Sequence, residues 1–315
     1  MMRICVTGGA GFIGRHLVNL LLNKGHYVTI FDNFSNSKME FVAPLMKRGV
    51  NVIEGDITEK NDIEHSIAGS DVVVHLAAKI SVSESMNKPL ETTKVNVDGT
   101  MNILDGCKKY GVKNIILVSS AAVYGNTDSP TTILTEQSNT NPISPYGKDK
   151  LLMEQNVKLF LEAHKMNCII FRVFNVYGEG QSSEYAGVIT KFADKILRDE
   201  PLVIYGDGKQ TRDFVAVEDV VSIIDAAISV SGKYGRIYNI GYGKSTTIEN
   251  LAKLMLNITR KNLDIKFVKQ QEGEIRYSQT SIQRATNELM YLPKIRLEDG
   301  IKKFLYKRGL SVKTS

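Results

Sequence analysis

Tyr146 and Lys150 stand four residues apart in a predicted helix, so their side chains share one face. An unperturbed tyrosine has a pKa of about 10 and is a poor base near neutral pH. A cation one helical turn away favours the phenolate and brings the tyrosine pKa toward the operating pH. The pair therefore indicates acid–base chemistry in which Tyr146 carries the proton and Lys150 supplies the positive charge.

Ser120 can supply a third group of the same site. It follows the apolar run Asn114 to Ser119, which predicts a buried strand whose end presents two hydroxyl groups. A Tyr and a Lys one turn apart occur often by chance, and by themselves they would indicate only a solvated helix face. A glycine-rich turn near the N-terminus and an acidic residue at the end of the second strand make the catalytic interpretation the better one.

The glycine-rich turn closes the first predicted strand, in the sequence Ile4-Cys-Val-Thr-Gly-Gly-Ala-Gly-Phe-Ile-Gly14, and a helix-periodic segment follows it. Gly8 permits the tight turn, and Gly14 lets the helix pack on its strand. Gly9 and Gly11 are expected to let the backbone approach a ligand. The N–H groups and the positive dipole end at this helix start favour a pyrophosphate.

Asp32 ends the second predicted strand, His26 to Asp32, eighteen residues after Gly14. A carboxylate at this position accepts hydrogen bonds from the ribose of an adenosine and repels a 2′-phosphate. No Arg occurs within residues 33–38, so the sequence predicts NAD rather than NADP. Lys38 alone argues for NADP.

Predicted strands and helices continue to alternate, which implies a parallel sheet with right-handed crossovers. We therefore expect an α/β fold, a Rossmann-type doubly wound parallel sheet with a smaller α/β substrate domain. Residues 1–174, with 207–235 returning, are expected to form the dinucleotide-binding domain. Residues 175–206 and 236–315 are expected to form mainly the other domain.

Two strand ends after the glycine turn carry residues suited to a nucleotide. Asp56 could accept a hydrogen bond from the adenine amino group, although capping the next helix is an equally good interpretation. The small pair Ala77-Ala78 would let a cofactor lie close to the sheet.

Composition bounds the remaining possibilities. The 315 residues include 40 Lys and Arg against 34 Asp and Glu, and the resulting +6 charge is dispersed, so we expect no nucleic-acid partner.

The three Cys form no close-spaced pair, which predicts buried thiols and a reducing compartment. The five His show no metal-ligand spacing, so we expect no metal. His75, in a predicted strand, is expected to be a packed core residue. Neither a signal peptide nor a membrane-spanning run is apparent, so we expect a cytoplasmic protein without membrane partners.

The sequence resembles the NAD-dependent nucleotide-sugar epimerase/dehydratase family of the extended short-chain dehydrogenase/reductase superfamily over nearly the whole chain. The features that carry the resemblance are the glycine turn, Asp32, Ser120, Tyr146 and Lys150. The catalytic residues that it implies are Ser120, Tyr146 and Lys150. The dinucleotide-binding residues that it implies are Gly8, Gly11, Phe12, Ile13, Gly14, Asp32, Asn33, Asp56, Ile57, Leu76, Ala77, Ala78, Asn96, Tyr146 and Lys150. The substrate-binding residues that it implies are Lys79, Ser120, Tyr146, Asn175, Arg212, Arg276 and Ser278.

The implied phosphate contacts rest on arginines, because the rigid donors of a guanidinium bind phosphate bidentately. Arg212 is similar to the family's arginine that reaches the substrate pyrophosphate, but next to Asp213 it could form only an ion pair. Many members also carry Arg before an acidic-Gly-acidic step, here Glu272-Gly-Glu274, where this chain has Gln271. Arg276 is expected to take over that charge.

The reaction is implied by the two residues after the active hydroxyl. Family members that dehydrate or decarboxylate a sugar place an acidic residue there, whereas Ala121 and Ala122 follow Ser120 here. This predicts a 4-epimerase of UDP-hexoses with tightly bound NAD, in which hydride is removed and returned through a 4-keto sugar. The alternatives are a 4,6-dehydratase or decarboxylase with an unusual acid, or an NAD-binding regulator, which would have no reason to keep all three catalytic residues.

Sugar size and assembly are also implied by the family pattern. A position just beyond the acidic-Gly-acidic step lines the sugar pocket, where Tyr is associated with plain hexoses and a small residue with 2-acetamido sugars. Counting places Ser278 there, which predicts that N-acetylated UDP-hexoses are accepted beside UDP-glucose and UDP-galactose; a one-residue shift would substitute Tyr277. Helices near 92–110 and 146–161 resemble the family's homodimer pair, although their apolar faces could equally be ordinary core.

Overall fold

The computed structural model describes residues 1–181, 187–230, 235–270 and 273–312. The first half of the chain contains β1 (Arg3–Thr7), α1 (Phe12–Asn23), β2 (Tyr27–Asp32), α2 (Met39–Met46), β3 (Asn51–Glu54), α3 (Lys60–Ile67), β4 (Val72–His75), α4 (Val82–Asn87), α5 (Pro89–Thr93), α6 (Gly99–Lys109), β5 (Asn114–Ser120), α7 (Pro145–His164) and β6 (Asn167–Val173). The second half contains β7 (Asn175–Tyr177), α8 (Val188–Leu197), β8 (Leu202–Tyr205), β9 (Thr211–Ala216), α9 (Val217–Ile228), β10 (Arg236–Ile240), β11 (Ser245–Thr247), α10 (Ile248–Thr259), β12 (Ile265–Val268), α11 (Gln283–Leu289) and α12 (Leu297–Lys307).

Within the described residues, seven strands form one sheet in the order β10-β6-β5-β4-β1-β2-β3. Strand β1 pairs in parallel with both β2 and β4, and the pairs β2–β3 and β4–β5 are parallel as well. The strand order therefore reverses direction at β1, which is the point where open α/β sheets bind their ligands. The predicted doubly wound, Rossmann-type α/β fold is confirmed.

The chain divides into two compact units. The first contains Met1–Val123, Ser144–Arg172 and Val221–Tyr238. Its core includes Cys5, Cys107 and Cys168, and all three thiols are free and buried, as predicted. Burial raises the pKa of the Cys5 thiol to about 12, so this cysteine is unreactive at neutral pH.

The second unit contains Tyr124–Ile143, Val173–Val220 and Asn239–Ser315. It has a three-stranded sheet in the order β11-β9-β7 and a parallel pair of β8 with β12. The segment that returns to the first unit is Val221–Tyr238, where the sequence led us to expect 207–235. Strand β9 accounts for part of this difference, since it pairs with β7 and β11.

Among the ranges described, no helix combines the length and the apolar character that a membrane span requires.

Candidate active site

The glycine turn between β1 and α1 is packed so closely that side chains are excluded from it. Gly8 has a φ of +68°, in the left-handed region that favours glycine, and a Cβ there would lie 2.7 Å from the Ala77 backbone nitrogen. A Cβ at Gly14 would lie 2.3 Å from the Gly8 carbonyl oxygen, so α1 packs directly on the turn. Gly9 differs from expectation, because its Cβ would meet the Ile30 side chain of β2 at 2.9 Å. Gly9 is thus explained by packing on the sheet.

Helix α1 begins with N–H groups that can bind an anion. Its N-cap residue, Gly11, makes no side-chain cap, and no acidic residue lies in the first turn. The first N–H groups of a helix, here those of Phe12, Ile13 and Gly14, have no acceptor within the helix. Together with the positive end of the helix dipole, they fit the pyrophosphate of a dinucleotide.

The Asp32 carboxylate lies beside this turn at the end of β2. One oxygen accepts the N–H of Ala10 at 3.0 Å, and the other accepts the N–H of Phe34 at 2.9 Å. Burial raises the pKa of Asp32, and these hydrogen bonds oppose the rise. Lys38, which argued for NADP, is exposed and lies 3.8 Å from Glu40. The turn and the carboxylate therefore lie side by side, an arrangement that suits the adenosine half of a dinucleotide.

Asn33 and Asp56 contact each other across the ends of β2 and β3. The Asn33 amide donates to the Asp56 carboxylate at 2.8 Å, and the second Asp56 oxygen accepts the N–H of Thr58 at 2.8 Å. The carboxylate therefore stabilises the turn before α3 rather than the helix start itself, where Glu59 is the N-cap residue and makes no side-chain cap. Ile57, the next expected adenine contact, is buried.

A hydrogen-bonded chain crosses the buried end of β4, where the sequence predicted only core packing for the histidine. The N–H of Ala77 donates to the Thr7 hydroxyl, which lies 2.7 Å from His75 Nδ1. The Thr100 hydroxyl lies 3.0 Å from His75 Nε2 and donates to the Asn96 carbonyl oxygen. These bonds are all satisfied if Nε2 carries the proton and His75 is neutral. Burial lowers the pKa of His75 to about 3, which agrees with that assignment.

Asn96 lies in a π-helical turn, Lys94–Asp98, between α5 and α6. Its amide oxygen accepts the Lys79 N–H at 2.8 Å, and its amide nitrogen donates to the Lys79 carbonyl at 2.9 Å. Asn96 thus fixes the backbone beyond β4 and would act on a dinucleotide through that backbone. The Lys79 ammonium pairs with Glu84 at 2.7 Å and with Glu91 at 3.5 Å. Of the expected cofactor contacts before Lys79, Leu76 and Ala77 are held from β1, because their N–H groups donate to the carbonyl and hydroxyl oxygens of Thr7. Ala78 follows them in the chain.

Tyr146 and Ser120 come together as predicted. Helix α7 begins at Pro145 with a Ser144 cap, and the N–H of Tyr146 donates to the Ser85 hydroxyl at 3.1 Å. The Ser120 hydroxyl accepts the N–H of Ala122 at 3.1 Å and lies close enough to the Tyr146 phenol to affect its pKa. Burial raises the pKa of Tyr146, and the nearby Ser120 hydroxyl opposes that rise.

The Lys150 ammonium binds the main chain of β5. It donates to the Val118 carbonyl at 3.1 Å. Burial lowers the pKa of Lys150 to about 8, against the attraction of Glu154 and Asp149. Burial has the larger effect on the pKa of Tyr146, so the phenol is protonated at neutral pH.

Arg212, in the second unit, has a partner other than the neighbouring Asp213. Its guanidinium donates to Glu274 at 3.0 Å and to the Thr211 carbonyl at 2.9 Å. The simple ion pair with Asp213 is therefore not what the chain forms. Asn175, the other expected substrate contact at this strand, donates to the Asp213 carbonyl at 3.4 Å.

Arg276 and Ser278 lie on the segment that follows the acidic-Gly-acidic step. The Arg276 guanidinium binds Asp207 through two 2.7 Å hydrogen bonds and lies over the Tyr277 ring. Ser278 is 4% exposed, and its N–H donates to the Thr211 hydroxyl. A solvated position for Ser278, the alternative left open by the sequence, does not fit this burial. Gln271 and Glu272 lie outside the described residues.

Asp213 is a buried carboxylate that the motifs alone did not assign. It accepts three backbone N–H groups, from Tyr242, Gly243 and Thr280. Burial raises its pKa to about 6, against these three bonds. Asp213 therefore ties the segment containing Ser278 to the loop after β10.

Comparison with known proteins identifies the family. The sequence model of the NAD dependent epimerase/dehydratase family matches residues 4–241. The chain belongs to this family. It is similar to a putative UDP-glucose 4-epimerase of Methanocaldococcus jannaschii, at 36% identity over 95% of this chain and 96% of the relative. A UDP-N-acetyl-alpha-D-glucosaminuronate decarboxylase of Bacillus cytotoxicus is 34% identical over 95% of each.

Solved structures of family members have the same fold. A UDP-glucose 4-epimerase of Thermotoga maritima, with UDP-glucose, has a TM-score of 0.92 at 34% identity over 98% of this chain and 99% of that one. A UDP-N-acetylglucosamine 4-epimerase of Methanobrevibacter ruminantium M1 has a TM-score of 0.89 at 33% identity over 97% of each chain. A dTDP-glucose 4,6-dehydratase of Streptomyces venezuelae, with NAD bound, has a TM-score of 0.91 at 29% identity over 97% of this chain and 96% of that one. The protein is an NAD-dependent enzyme of the superfamily that contains nucleotide-sugar epimerases, decarboxylases and dehydratases.

Proposed function

We propose that this enzyme is a 4-epimerase of UDP-hexoses that works through a transient 4-keto sugar. The observation that carries the proposal is the absence of an acid beside the active hydroxyl, since the described turn after β5 continues as Ala121 and Ala122. Within the described residues, the Ser120 hydroxyl accepts a hydrogen bond from the backbone N–H of Ala122. Without an acid to protonate a leaving group, oxidation at C4 is expected to be reversed rather than followed by elimination.

In this mechanism Tyr146 and Ser120 move the proton of the sugar 4-hydroxyl. When NAD is bound, its nicotinamide ring provides the acceptor and donor for the C4 hydride and, in its oxidised form, a positive charge. A cation beside the phenol favours phenolate, which offsets the effect of burial on Tyr146. The phenolate accepts the hydroxyl proton and later gives it back, while the 4-keto sugar presents its other face. Atoms and electrons balance, because one hydride and one proton leave and return.

The nucleotide is proposed to be held by residues of the second unit. Arg212, 14% exposed and already oriented by Glu274, would bind the pyrophosphate, with Asn175 and Arg276 as further contacts. A firmly bound nucleotide would let the sugar rotate about its phosphate linkage. The buried Ser278 would leave space for a 2-acetamido group, so N-acetylated UDP-hexoses are proposed as substrates beside the plain pair.

We also propose a cytoplasmic homodimer. Helix α7, one of the two helices expected to pair, exposes Leu152 (42%) and Leu159 (66%), which lie two turns apart on one face. Large apolar residues exposed together are typical of a protein–protein interface. The free, buried thiols fit a reducing compartment.

The deciding experiment incubates the purified enzyme separately with UDP-glucose and UDP-N-acetylglucosamine, and identifies products by NMR and mass spectrometry. Products of unchanged mass with inverted C4 configuration support the proposal. The second candidate function is that of a decarboxylase or dehydratase, and the 34% identity to the Bacillus cytotoxicus decarboxylase favours it. Incubation with the corresponding UDP-uronic acids tests it, since loss of CO₂, or loss of water from any substrate, would replace the epimerase assignment.

A further inference from the structure

Two consecutive residues at the end of β5 are bonded to helix α7. The Val118 carbonyl accepts the Lys150 ammonium at 3.1 Å, and the Ser119 hydroxyl donates to the Glu154 carboxylate. Lys150 and Glu154 are one helical turn apart, so the strand end is joined to the helix at two successive points. The next residue of the strand is Ser120. The spacing between the active hydroxyl and α7 therefore depends on these two bonds.

Glu154 is itself held from β6 by Arg172. The guanidinium Nη2 lies 2.7 Å from one carboxylate oxygen, and Nε lies 3.1 Å from both. The side chains are 5% and 3% exposed. A buried carboxylate is costly unless it is paired and hydrogen-bonded, and here the fixed fork of Arg172 sets its orientation. Glu154 therefore has one defined position.

Lys150 lies among several ionisable groups. Asp149 and Glu154 lie beside it on α7, His75 lies on β4 and Arg172 lies on β6. Burial lowers the pKa of Lys150 to about 8, and Glu154 is the larger of the two carboxylate influences that oppose this shift. His75 adds no positive charge at neutral pH, since burial keeps its pKa at about 3. The charge state of Lys150 therefore depends on Glu154 more than on any other group found beside it in the described chain.

We propose that Glu154 is a positioning residue of the active site, which acts as the counter-charge of the Lys150 ammonium and fastens the Ser120 strand end to α7. Arg172 and Ser119 act on the site through Glu154. This inference rests on the proposed function for its catalytic consequence. The electrostatic part concerns only Lys150 and can be measured without any sugar substrate.

The direct test is the titration of Lys150 in the purified enzyme. Protein labelled with ¹³C at lysine Cε is titrated by NMR, and the signal missing from Lys150→Met identifies Lys150. Glu154→Gln preserves the shape and the acceptor for Ser119 but removes the charge. We expect the Lys150 midpoint to fall by about one pH unit or more. An unchanged midpoint in a folded variant would overturn the proposal.

Matched variants separate this effect from general damage. Glu162→Gln removes an exposed carboxylate from the same helix and should leave the Lys150 midpoint unchanged. If Glu154→Gln does not fold, because the buried Arg172 loses its ion pair with Glu154, a second variant is needed. The double variant Glu154→Gln/Arg172→Gln, which replaces the ion pair by two amides, then carries the test. Because this variant also lacks the positive charge of Arg172, its Lys150 midpoint is compared with that of Arg172→Gln, in which Glu154 keeps its charge. The midpoint should be lower in the double variant, and equal midpoints in the two would contradict the role of Glu154.

The catalytic consequence is measured as a pH profile. In Glu154→Gln the alkaline limb of kcat should move to lower pH in parallel with the Lys150 midpoint, with little change in the KM for the sugar nucleotide. A uniform loss of kcat at every pH would indicate a structural role only and would overturn the inference. If the wild-type enzyme epimerises no UDP-hexose, the proposed function fails, whereas the NMR titration still decides the role of Glu154.

Discussion

The Arg212 guanidinium lies 3.0 Å from the Glu274 carboxylate, sixty-two residues further along the chain. Burial acts to lower the pKa of Arg212, and Glu274 opposes that effect. A guanidinium held in this way is oriented before any substrate arrives, so little side-chain entropy remains to be lost on binding.

Arg212→Ala should therefore raise the KM for a UDP-hexose more than it lowers kcat, because the pyrophosphate changes little during hydride transfer. Loss of hydrogen bonds to a charged group predicts a KM increase of about 10- to 100-fold. Steady-state kinetics measure this, with Arg276→Ala as the comparison. An unchanged KM would make Arg212 a structural residue, and an unchanged KM in Arg276→Ala would remove Arg276 from the phosphate site.

Tyr146→Phe should keep the fold and the bound NAD but lose epimerisation by at least about 100-fold, because the ring still packs while the proton carrier is gone. Circular dichroism and the nucleotide released on denaturation give the controls. Turnover close to that of the wild type would show that another group carries the proton.

Asp32 should make the enzyme retain NAD rather than NADP, since its carboxylate lies beside the glycine turn and repels a 2′-phosphate. Mass spectrometry of the nucleotide released from the purified protein measures the ratio. Lys38→Ala should leave that ratio unchanged, because Lys38 is exposed and lies near Glu40. Recovery of mostly NADP would reverse the assignment.

Ser278→Tyr should abolish activity on N-acetylated UDP-hexoses while sparing the plain pair, since a phenol ring in place of the small Ser278 side chain would narrow the proposed sugar pocket. Both sugar pairs are assayed with the wild type and the variant. Tyr277→Ser, at the neighbouring position, should have no such selectivity. Equal losses on both sugar pairs in Ser278→Tyr would rule out its role as a gate.

His75 should make the protein sensitive to acid. Its folded pKa of about 3 lies below the unfolded value near 6.5, so between these values only the unfolded state binds the proton. Stability therefore falls as the pH decreases through this window, by roughly 2–3 kcal/mol between pH 6.5 and 4.5. Urea unfolding should show a shallower pH dependence for His75→Gln and a wild-type dependence for His65→Gln, in which an exposed imidazole is replaced. Identical slopes in all three proteins would refute this linkage.

The fold and the local parts of the site could be predicted because their signals are short in sequence. The glycine turn requires Gly8 and Gly14 within one strand–helix junction, and Tyr146 and Lys150 are fixed by one helical turn. The packing of Gly9 against Ile30 was not predicted, because Ile30 comes from another strand and no local pattern identifies it.

Long-range polar contacts are what the sequence could not supply. Asp213 accepts N–H groups from residues about thirty and sixty-seven positions away, and Arg172 meets Glu154 only after β6 has packed against α7. The burial that raises the pKa of Tyr146 was not predicted either, because desolvation depends on the whole surrounding core. The sequence does not distinguish the exposed Glu162 from the buried Glu154 on the same helix.

The π-helical turn Lys94–Asp98 sets the rotational phase of the helices on its two sides. One extra residue in a turn rotates the rest of the helix by about 100° relative to a regular α-helix. Before it, Thr93 of α5 reaches Asp149 at 2.7 Å; after it, Thr100 of α6 reaches His75. Deleting one residue within this turn would remove this rotation between α5 and α6, so the contact of Thr93 or that of Thr100 would be lost. The extra residue thus allows one continuous helical run to serve two differently directed surfaces.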